Sequence, residues 1–157
     1  MNSFDVNKSK QIASDFIKKF EGYKLKAYQC SAKVWTIGWG NTSYLKNINF
    51  PQTATISQEK AEQLFKQDLD IFFNPVLKIV NELGLNENQV AALVSFAFNL
   101  GLSSLQKSTL LKVIQADKNN FVEIEKQFLK WVNAGGKKIQ GLVNRRTAEA
   151  KLYQITL

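Results

Sequence analysis

The stretch that decides the fold runs from Glu21 to Gly40 and reads EGYKLKAYQCSAKVWTIGWG. Over residues 23–28 apolar side chains alternate with lysines, and over residues 34–40 large apolar side chains alternate with smaller ones. An alternation with a period of two is typical of β-strands. We therefore predict two short strands here, joined into a small hairpin by a loop over residues 29–33.

The segment before this stretch has the period of a helix. Over residues 8–20 apolar side chains recur at helical spacing. Gly22 follows, and glycine commonly ends a helix because it tolerates the left-handed backbone conformation. The prediction is a helix that carries Glu21 at its C-terminus, where the partial negative charge of the helix end disfavours a carboxylate.

Helices dominate the rest of the chain. We predict that Ser57 caps a helix that Pro75 breaks or kinks, and that Asn86 caps an apolar helix that Gly101 ends. The other predicted elements are helices over residues 76–83, 108–116, 121–132 and 142–153, an irregular segment over 41–55 and a loop over 133–136. The chain is thus predicted to be an α+β protein, mostly helical, with one small β element near the N-terminus.

The composition excludes several classes of hydrolase. The chain has no histidine, which rules out His-ligated zinc hydrolases, Ser-His-Asp hydrolases and Cys-His proteases. Its single cysteine, Cys30, rules out an internal disulfide and a Cys-cluster metal site. We expect neither a metal nor another cofactor. Carboxylate chemistry, as in glycoside hydrolysis, is the strategy that these absences leave most open.

The charge is basic, with 21 Lys+Arg against 13 Asp+Glu and a formal net charge of +8. Such an excess favours an anionic partner, and nucleic acid, anionic lipid and bacterial cell wall all qualify. The lysines are scattered and no DNA-binding motif is present, so we expect no nucleic-acid partner. The sequence contains no apolar run of the kind that a signal peptide or a membrane span needs, so we expect a cytoplasmic protein without stable membrane insertion.

Glu21, Cys30 and Thr36 form the pattern with the most chemical content. Cys30 follows Glu21 by nine positions, and Thr36 follows Cys30 by six. This pattern closely resembles the active-site signature of the phage-type lysozymes, glycoside hydrolase family 24, in which an Asp or a Cys occupies the middle position. Segments that resemble later motifs of that family lie at residues 91–101, 108–111, 131–136 and 141–149.

The resemblance implies a single lysozyme-like catalytic domain over residues 1–157. Its parts would be a small β-containing lobe at about 21–56, a linking helix at about 57–83, and a helical lobe at about 84–157 that includes the N-terminal helix, with a cleft between the lobes. The implied function is that of a phage or prophage endolysin, which cleaves the β-1,4 bond between N-acetylmuramic acid and N-acetylglucosamine in peptidoglycan to lyse the host cell. The implied protein is a monomer that waits in the host cytoplasm until a separately encoded holin releases it to the periplasm.

Breaking a glycosidic bond requires an acid that protonates the leaving oxygen and a second group that handles water or forms a covalent bond on the opposite face of the sugar. The resemblance assigns the acid to Glu21. Cys30 is open to three interpretations: a base or water-orienting group, which we prefer, a thiolate nucleophile, or an inert small side chain. If Trp35 and Ile37 face the core, then Thr36 faces the cleft, where its hydroxyl could hold the attacking water. The alternative for Thr36 is a β-branched residue that strands favour in any case.

Two residues outside this segment are candidates for binding substrate. The resemblance places Asn99 at a helix end that faces the cleft, although Asn99 is also a suitable residue for capping that helix. It places Arg145 close to the catalytic Glu, although Arg145 and Glu149 are four apart on one predicted helix and could form an ordinary surface pair.

Two other classes of function compete with hydrolysis. A lytic transglycosylase would use the Glu alone and let the substrate's own hydroxyl attack, so the retained spacing of Cys30 and Thr36 favours the hydrolase. A basic protein that binds cell wall or nucleic acid without catalysis is the alternative outside the enzymes.

Overall fold

A computed structural model describes residues 3–156, and α-helix dominates that part of the chain. Its seven α-helices are α1 (Val6–Lys18), α2 (Gln58–Val80), α3 (Glu87–Leu100), α4 (Leu102–Lys107), α5 (Thr109–Ala116), α6 (Phe121–Phe128) and α7 (Gln140–Tyr153). Its strands are β1 (Tyr23–Gln29), β2 (Trp35–Trp39), β3 (Asn133–Ala134) and β4 (Lys137–Lys138). The predicted α+β chain with a small N-terminal β element is confirmed.

The first hairpin pairs β1 with β2 antiparallel, with Tyr23 opposite Trp39 and Tyr28 opposite Thr36. The register shifts between these two pairs, so the strand carries an irregularity of the bulge type. A tight turn joins the strands, because the Lys33 amide donates to the Cys30 carbonyl at 2.8 Å. Lys33 closes this turn with a φ of 61°, a left-handed conformation that a lysine adopts only at some cost.

The hairpin rests on a small apolar core. Its four buried members are Ala27 and Ile37 from the strands, Leu45 from the following loop and Leu64 from α2. The loop between β2 and α2 was predicted to be irregular. It contains two short 3-10 helices, Tyr44–Asn47 and Pro51–Thr53. The end of this loop adds backbone bonds to β1, including one from the Ala27 amide to the Ala54 carbonyl at 2.9 Å.

Helix α2 runs without interruption through Pro75, so of the two predicted outcomes, a break or a kink, the break is wrong. Ser57 caps the helix as predicted, its hydroxyl accepting from the Lys60 amide at 3.0 Å. Proline removes one backbone donor from a helix. On both sides of Pro75, the fully buried Phe73 and Val76 fix the helix by packing, which outweighs the lost hydrogen bond.

Helix α3 begins and ends where the sequence predicts. The Asn86 side chain accepts from the Gln89 amide, and the Gln89 side chain accepts from the Asn86 amide, which completes a capping box. Gly101 ends the helix with a φ of 97°. The short helix α4 that follows was not predicted, because its six residues contain only Leu102 and Leu105 as apolar side chains, too few to establish a helical period.

The segment over 133–136, predicted as a loop, is a hairpin of β3 and β4 instead. Gly135 and Gly136 form its two-residue turn, with φ values of 59° and 78°. A turn with two positive φ angles matches the twist of antiparallel strands and favours two glycines. Helix α6 therefore ends at Phe128 rather than near residue 132.

The chain forms two compact units: residues 14–71, and residues 3–13 together with 72–156. The first unit contains the β1–β2 hairpin and its small core. The second contains the apolar helix α3, whose residues from Glu87 to Ala97 are all buried. Across residues 3–156, no helix combines the length and the apolar character that a membrane crossing would demand.

Candidate active site

Glu21 lies between α1 and β1. Helix α1 ends at Lys18, but a further turn continues the chain, and the Glu21 amide still donates to the Ile17 carbonyl at 3.0 Å. Glu21 therefore lies at the end of the first helix, as predicted, three residues beyond the last helical residue, Lys18. The helix does not end through a left-handed Gly22, as the sequence predicted, since Gly22 is not among the glycines with positive φ.

The Glu21 carboxylate lies against the backbone of Gly40. A methyl group added to Gly40 would stand 3.3 Å from Glu21 Oε2, and Gly40 itself has a φ of 78°. The next residue holds this backbone in place, because the buried Asn41 donates from its side chain to Asp68 on α2 at 2.8 Å. Sequence reasoning gave Asn41 no role, and its only signal was an amide side chain directly after the strand.

Cys30 sits at the turn of the β1–β2 hairpin and is partly exposed. Hydrogen bonds from the backbone amides of Val34 and Ala32 lower the pKa of its thiol, and the Thr36 hydroxyl acts in the same direction. Apolar surroundings would instead raise the pKa of a buried thiol. The surroundings of Cys30 favour its ionised form.

Thr36 is buried, with 4% of its surface exposed, and its neighbour Ile37 belongs to the small core. Its hydroxyl donates to the Val34 carbonyl at 3.0 Å. A hydroxyl has one proton to donate. The carbonyl of Val34 and an ionised Cys30 therefore compete for the same proton, which links Thr36 to the charge state of the thiol.

Tyr28 lies near enough to both candidate catalytic groups for their charges to act on its phenol. Burial raises the pKa of its phenol, and so do the negative charges of Glu21 and Cys30. Its hydroxyl also lies over Gly22, where an added methyl group would be 3.6 Å away. The sequence indicates no function for Tyr28, because only the folded hairpin brings its phenol near both groups.

The two candidate substrate-binding residues lie in the other unit. Asn99 is on α3 and exposed, and its side-chain oxygen accepts a hydrogen bond from Arg146 on α7. It does not cap its helix, because Gly101 does. Arg145 is buried at 3% exposure and donates to the backbone and hydroxyl oxygens of Ser95 at 3.2 and 3.3 Å.

The local pair of Arg145 with Glu149 exists, at 3.5 Å, but it is buried rather than on the surface. Burial raises the pKa of the Glu149 carboxyl, against the effect of the two arginines and Ser95. Among residues 3–156 no group of three or more acidic, Cys or His side chains is arranged to hold a metal ion.

Comparison with known proteins gives the family. The family model described as phage lysozyme matches residues 18–149. The chain belongs to the phage lysozyme family. The endolysin of Salmonella phage P22 is 36% identical over 146 residues, which are 91% of this chain and 97% of that protein. The endolysin of Bacillus phage B103 is 41% identical over 145 residues, which are 91% of this chain and 52% of that protein.

The solved endolysin of Escherichia coli O157:H7 phage FAHEc1 superimposes with a TM-score of 0.71 at 32% identity, over 91% of this chain and 90% of that one. The mostly helical, lysozyme-like fold class is thereby confirmed for this member of the family. The endolysins of Bacillus phages B103 and PZA are matched over 52% and 54% of their length. The chain thus spans about half of each of these two relatives.

Proposed function

We propose that this protein is a lysozyme that hydrolyses the β-1,4 bond between N-acetylmuramic acid and N-acetylglucosamine in peptidoglycan. The observation that carries the proposal is the arrangement around Glu21, whose carboxylate lies against Gly40 and near a phenol that also lies near Cys30. A carboxyl group and a thiol near one phenol suit a reaction that needs an acid and a base. Membership in the phage lysozyme family supports the same reaction.

In this mechanism Glu21 gives its proton to the glycosidic oxygen as the bond from that oxygen to the anomeric carbon breaks. A water molecule attacks the anomeric carbon and loses a proton to the Cys30 thiolate. Exchange with solvent then returns a proton to Glu21 and removes one from Cys30. The backbone amides that favour the ionised thiol supply the form of Cys30 that can accept a proton.

Thr36 and Tyr28 act on the water in this proposal. Since the Thr36 hydroxyl is shared between the Val34 carbonyl and the thiol, it fixes the direction of the Cys30 side chain. The Tyr28 phenol has its pKa raised and therefore keeps its proton as a donor at neutral pH. We assign Asn99 and Arg145 to the binding of the glycan chain, as the family resemblance implies, and the donors of the exposed Asn99 amide suit the carbonyl and hydroxyl oxygens of N-acetylated sugars.

The biological setting is also part of the proposal. We infer a monomeric endolysin of a phage or prophage that lyses its host after a holin has opened the way from the cytoplasm to the periplasm. The formal charge of +8 supports attraction to anionic wall polymers. Purified protein added from outside should lyse cells only when their outer membrane has been permeabilised. Protein produced inside the host should lyse it only when a holin is produced as well.

The central test is a turbidity assay on permeabilised Gram-negative cells with wild type, Glu21→Gln, Cys30→Ala and Cys30→Asp. Loss of a general acid typically lowers the rate by about 10²- to 10⁴-fold, and we expect that loss in Glu21→Gln. Cys30→Asp should keep activity because it restores a carboxylate base. Near-normal lysis by Glu21→Gln would refute the assignment of the acid, and full activity of Cys30→Ala would make the thiol a spectator.

Mass spectrometry of the released fragments tests the reaction type. Hydrolysis leaves reducing ends, whereas a lytic transglycosylase leaves anhydro-sugar ends. Wild type that binds cell walls without any turnover would favour a non-catalytic binding protein. Anhydro ends as the main product would replace the proposed lysozyme with a transglycosylase.

A further inference from the structure

The last helix of the chain, α7, contains a fully buried carboxylate, that of Glu149. Glu149 on α7 has 0% of its surface exposed, yet it faces three polar side chains. Its Oε1 pairs with Arg146 Nε at 2.9 Å, and its Oε2 accepts from the Ser95 hydroxyl at 2.6 Å and pairs with Arg145 Nε at 3.5 Å. A carboxylate removed from water is unfavourable unless such partners surround it.

Arg146 connects the buried Glu149 to an exposed residue. Its side chain is also fully buried, with the guanidinium 5.3 Å from the centre of the Phe96 ring. While Nε pairs with Glu149, Nη2 donates to Asn99 Oδ1 on α3. Asn99 is exposed. A buried acid is thus connected to an exposed amide through one rigid, planar side chain.

The direction of this connection has a chemical consequence. A guanidinium has donors only, so the Asn99 atom that faces it must be the oxygen. The amide nitrogen of Asn99, with its two donors, is then the end of the amide that does not face Arg146, and the residue is exposed. An amide held in this orientation selects ligands that offer acceptors, such as the carbonyl of an N-acetyl group or a sugar hydroxyl.

We propose that Glu149 is a positioning residue that fixes Asn99 through Arg146, so that the exposed Asn99 amide meets the glycan in one defined orientation, while Glu149 also holds the buried Arg145 in place. The inference rests on the proposed function, because it takes Asn99 as a residue that binds substrate. Glu149 itself does not touch the glycan, since its carboxylate is enclosed by its own partners. Its role is to remove the conformational freedom that binding would otherwise have to remove.

The decisive variant is Arg146→Lys. It keeps a positive charge beside Glu149, so the buried acid stays compensated, but it removes the donor to Asn99. We expect the KM for soluble peptidoglycan strands to rise about tenfold while kcat changes little, the size that losing one charge-assisted hydrogen bond predicts. In an Asn99→Ala background the same substitution should have no further effect on KM, because the amide that it releases is absent.

Gln127→Met is the matched control. Gln127 is buried in the same unit at 4% exposure and donates to Glu123 at 2.9 Å, so its loss also removes one polar contact from the interior. It should lower the melting temperature without changing KM. Glu149→Gln, checked for folding by circular dichroism, tests the buried acid itself and should raise KM in the same way as Arg146→Lys.

A second readout does not depend on activity. The side-chain amide signals of Asn99 in ¹⁵N-labelled protein report how rigidly that amide is held, and we expect them to show restricted motion in wild type and free rotation in Arg146→Lys. Equal order in both proteins overturns the inference, as does an equal rise in KM with and without Asn99. Wild type that fails to cleave glycan but shows the expected change in the amide signals would refute the proposed function and leave the positioning of Asn99 standing.

Discussion

Replacing Gly40 with alanine tests whether the Glu21 carboxylate acts from its place against Gly40, and a control variant accounts for the accompanying loss of stability. Two effects are expected. A non-glycine residue at a φ of 78° costs roughly 1–2 kcal/mol. That cost lowers the melting temperature of a protein of this size by about 2–8 °C.

The second effect is on catalysis. The new methyl group would stand 3.3 Å from Glu21 Oε2, closer than such contacts normally are, so the carboxylate must give way by a few tenths of an ångström. Displacement of a catalytic group by about 1 Å can cost about 100-fold in rate, and we therefore expect a drop of about tenfold in kcat. The assay is the initial rate of cell-wall lysis under conditions where both proteins are folded.

Gly136→Ala is the control for this prediction. Gly136 has the same φ of 78°, but a methyl group there would meet no atom within 4 Å. It should lower the melting temperature by a similar amount and leave kcat unchanged. Wild-type kcat in Gly40→Ala, or an equal loss in both variants, would refute the reasoning that the carboxylate acts from its place against Gly40.

Three further predictions concern the hairpin and the helix cap. Lys33→Gly should raise the free energy of unfolding by about 1 kcal/mol, because it relieves a left-handed lysine at a φ of 61°, and a fall in the thermal midpoint would contradict this. Thr36→Val should move the pH midpoint of iodoacetamide alkylation of Cys30 upward, since it removes one of the donors that lower the thiol pKa. A thiol with a lowered folded-state pKa stabilises the fold above its unfolded pKa, and this contribution is lost as pH falls through the folded value. Thr36→Val should therefore narrow the pH range between the folded-state and unfolded-state pKa of Cys30, over which this contribution is lost. An unchanged alkylation profile would rule out the contact. Asn86→Ala should destabilise the protein by about 1 kcal/mol in urea titration because it removes the capping box with Gln89, and an unchanged midpoint would count against that cap.

Elements that depend on local signals could be predicted from the sequence. Alternation over residues 23–28 and 34–40 gave the β1–β2 hairpin, because side-chain period is a property of the strand itself. Asn86 and Gly101 gave both ends of α3 in the same way. Pro75 shows the limit: its local preference is real, but the packing of its neighbours in α2 decides the outcome, and packing is not visible in one segment.

The candidate site divides along the same line. The spacing of Glu21, Cys30 and Thr36 could be read from the chain, whereas the position of Tyr28 near the first two depends on the register of the folded strands. Arg145 and Glu149 look like a surface pair because they are four residues apart. Their burial depends on Ser95, which is about fifty residues away in sequence and comes near only when α3 and α7 meet.

The small core beneath the first hairpin has a consequence for how loss of function would be observed. A two-stranded sheet is only marginally stable alone, and four buried residues, Ala27, Ile37, Leu45 and Leu64, hold this one in place. Local opening of the hairpin would separate Cys30 and Thr36 from Glu21 while the helices stay intact. Heating should therefore abolish the proposed activity before the helical circular dichroism signal falls, and a stability ranked by that signal alone would overestimate the temperature range in which the site is intact.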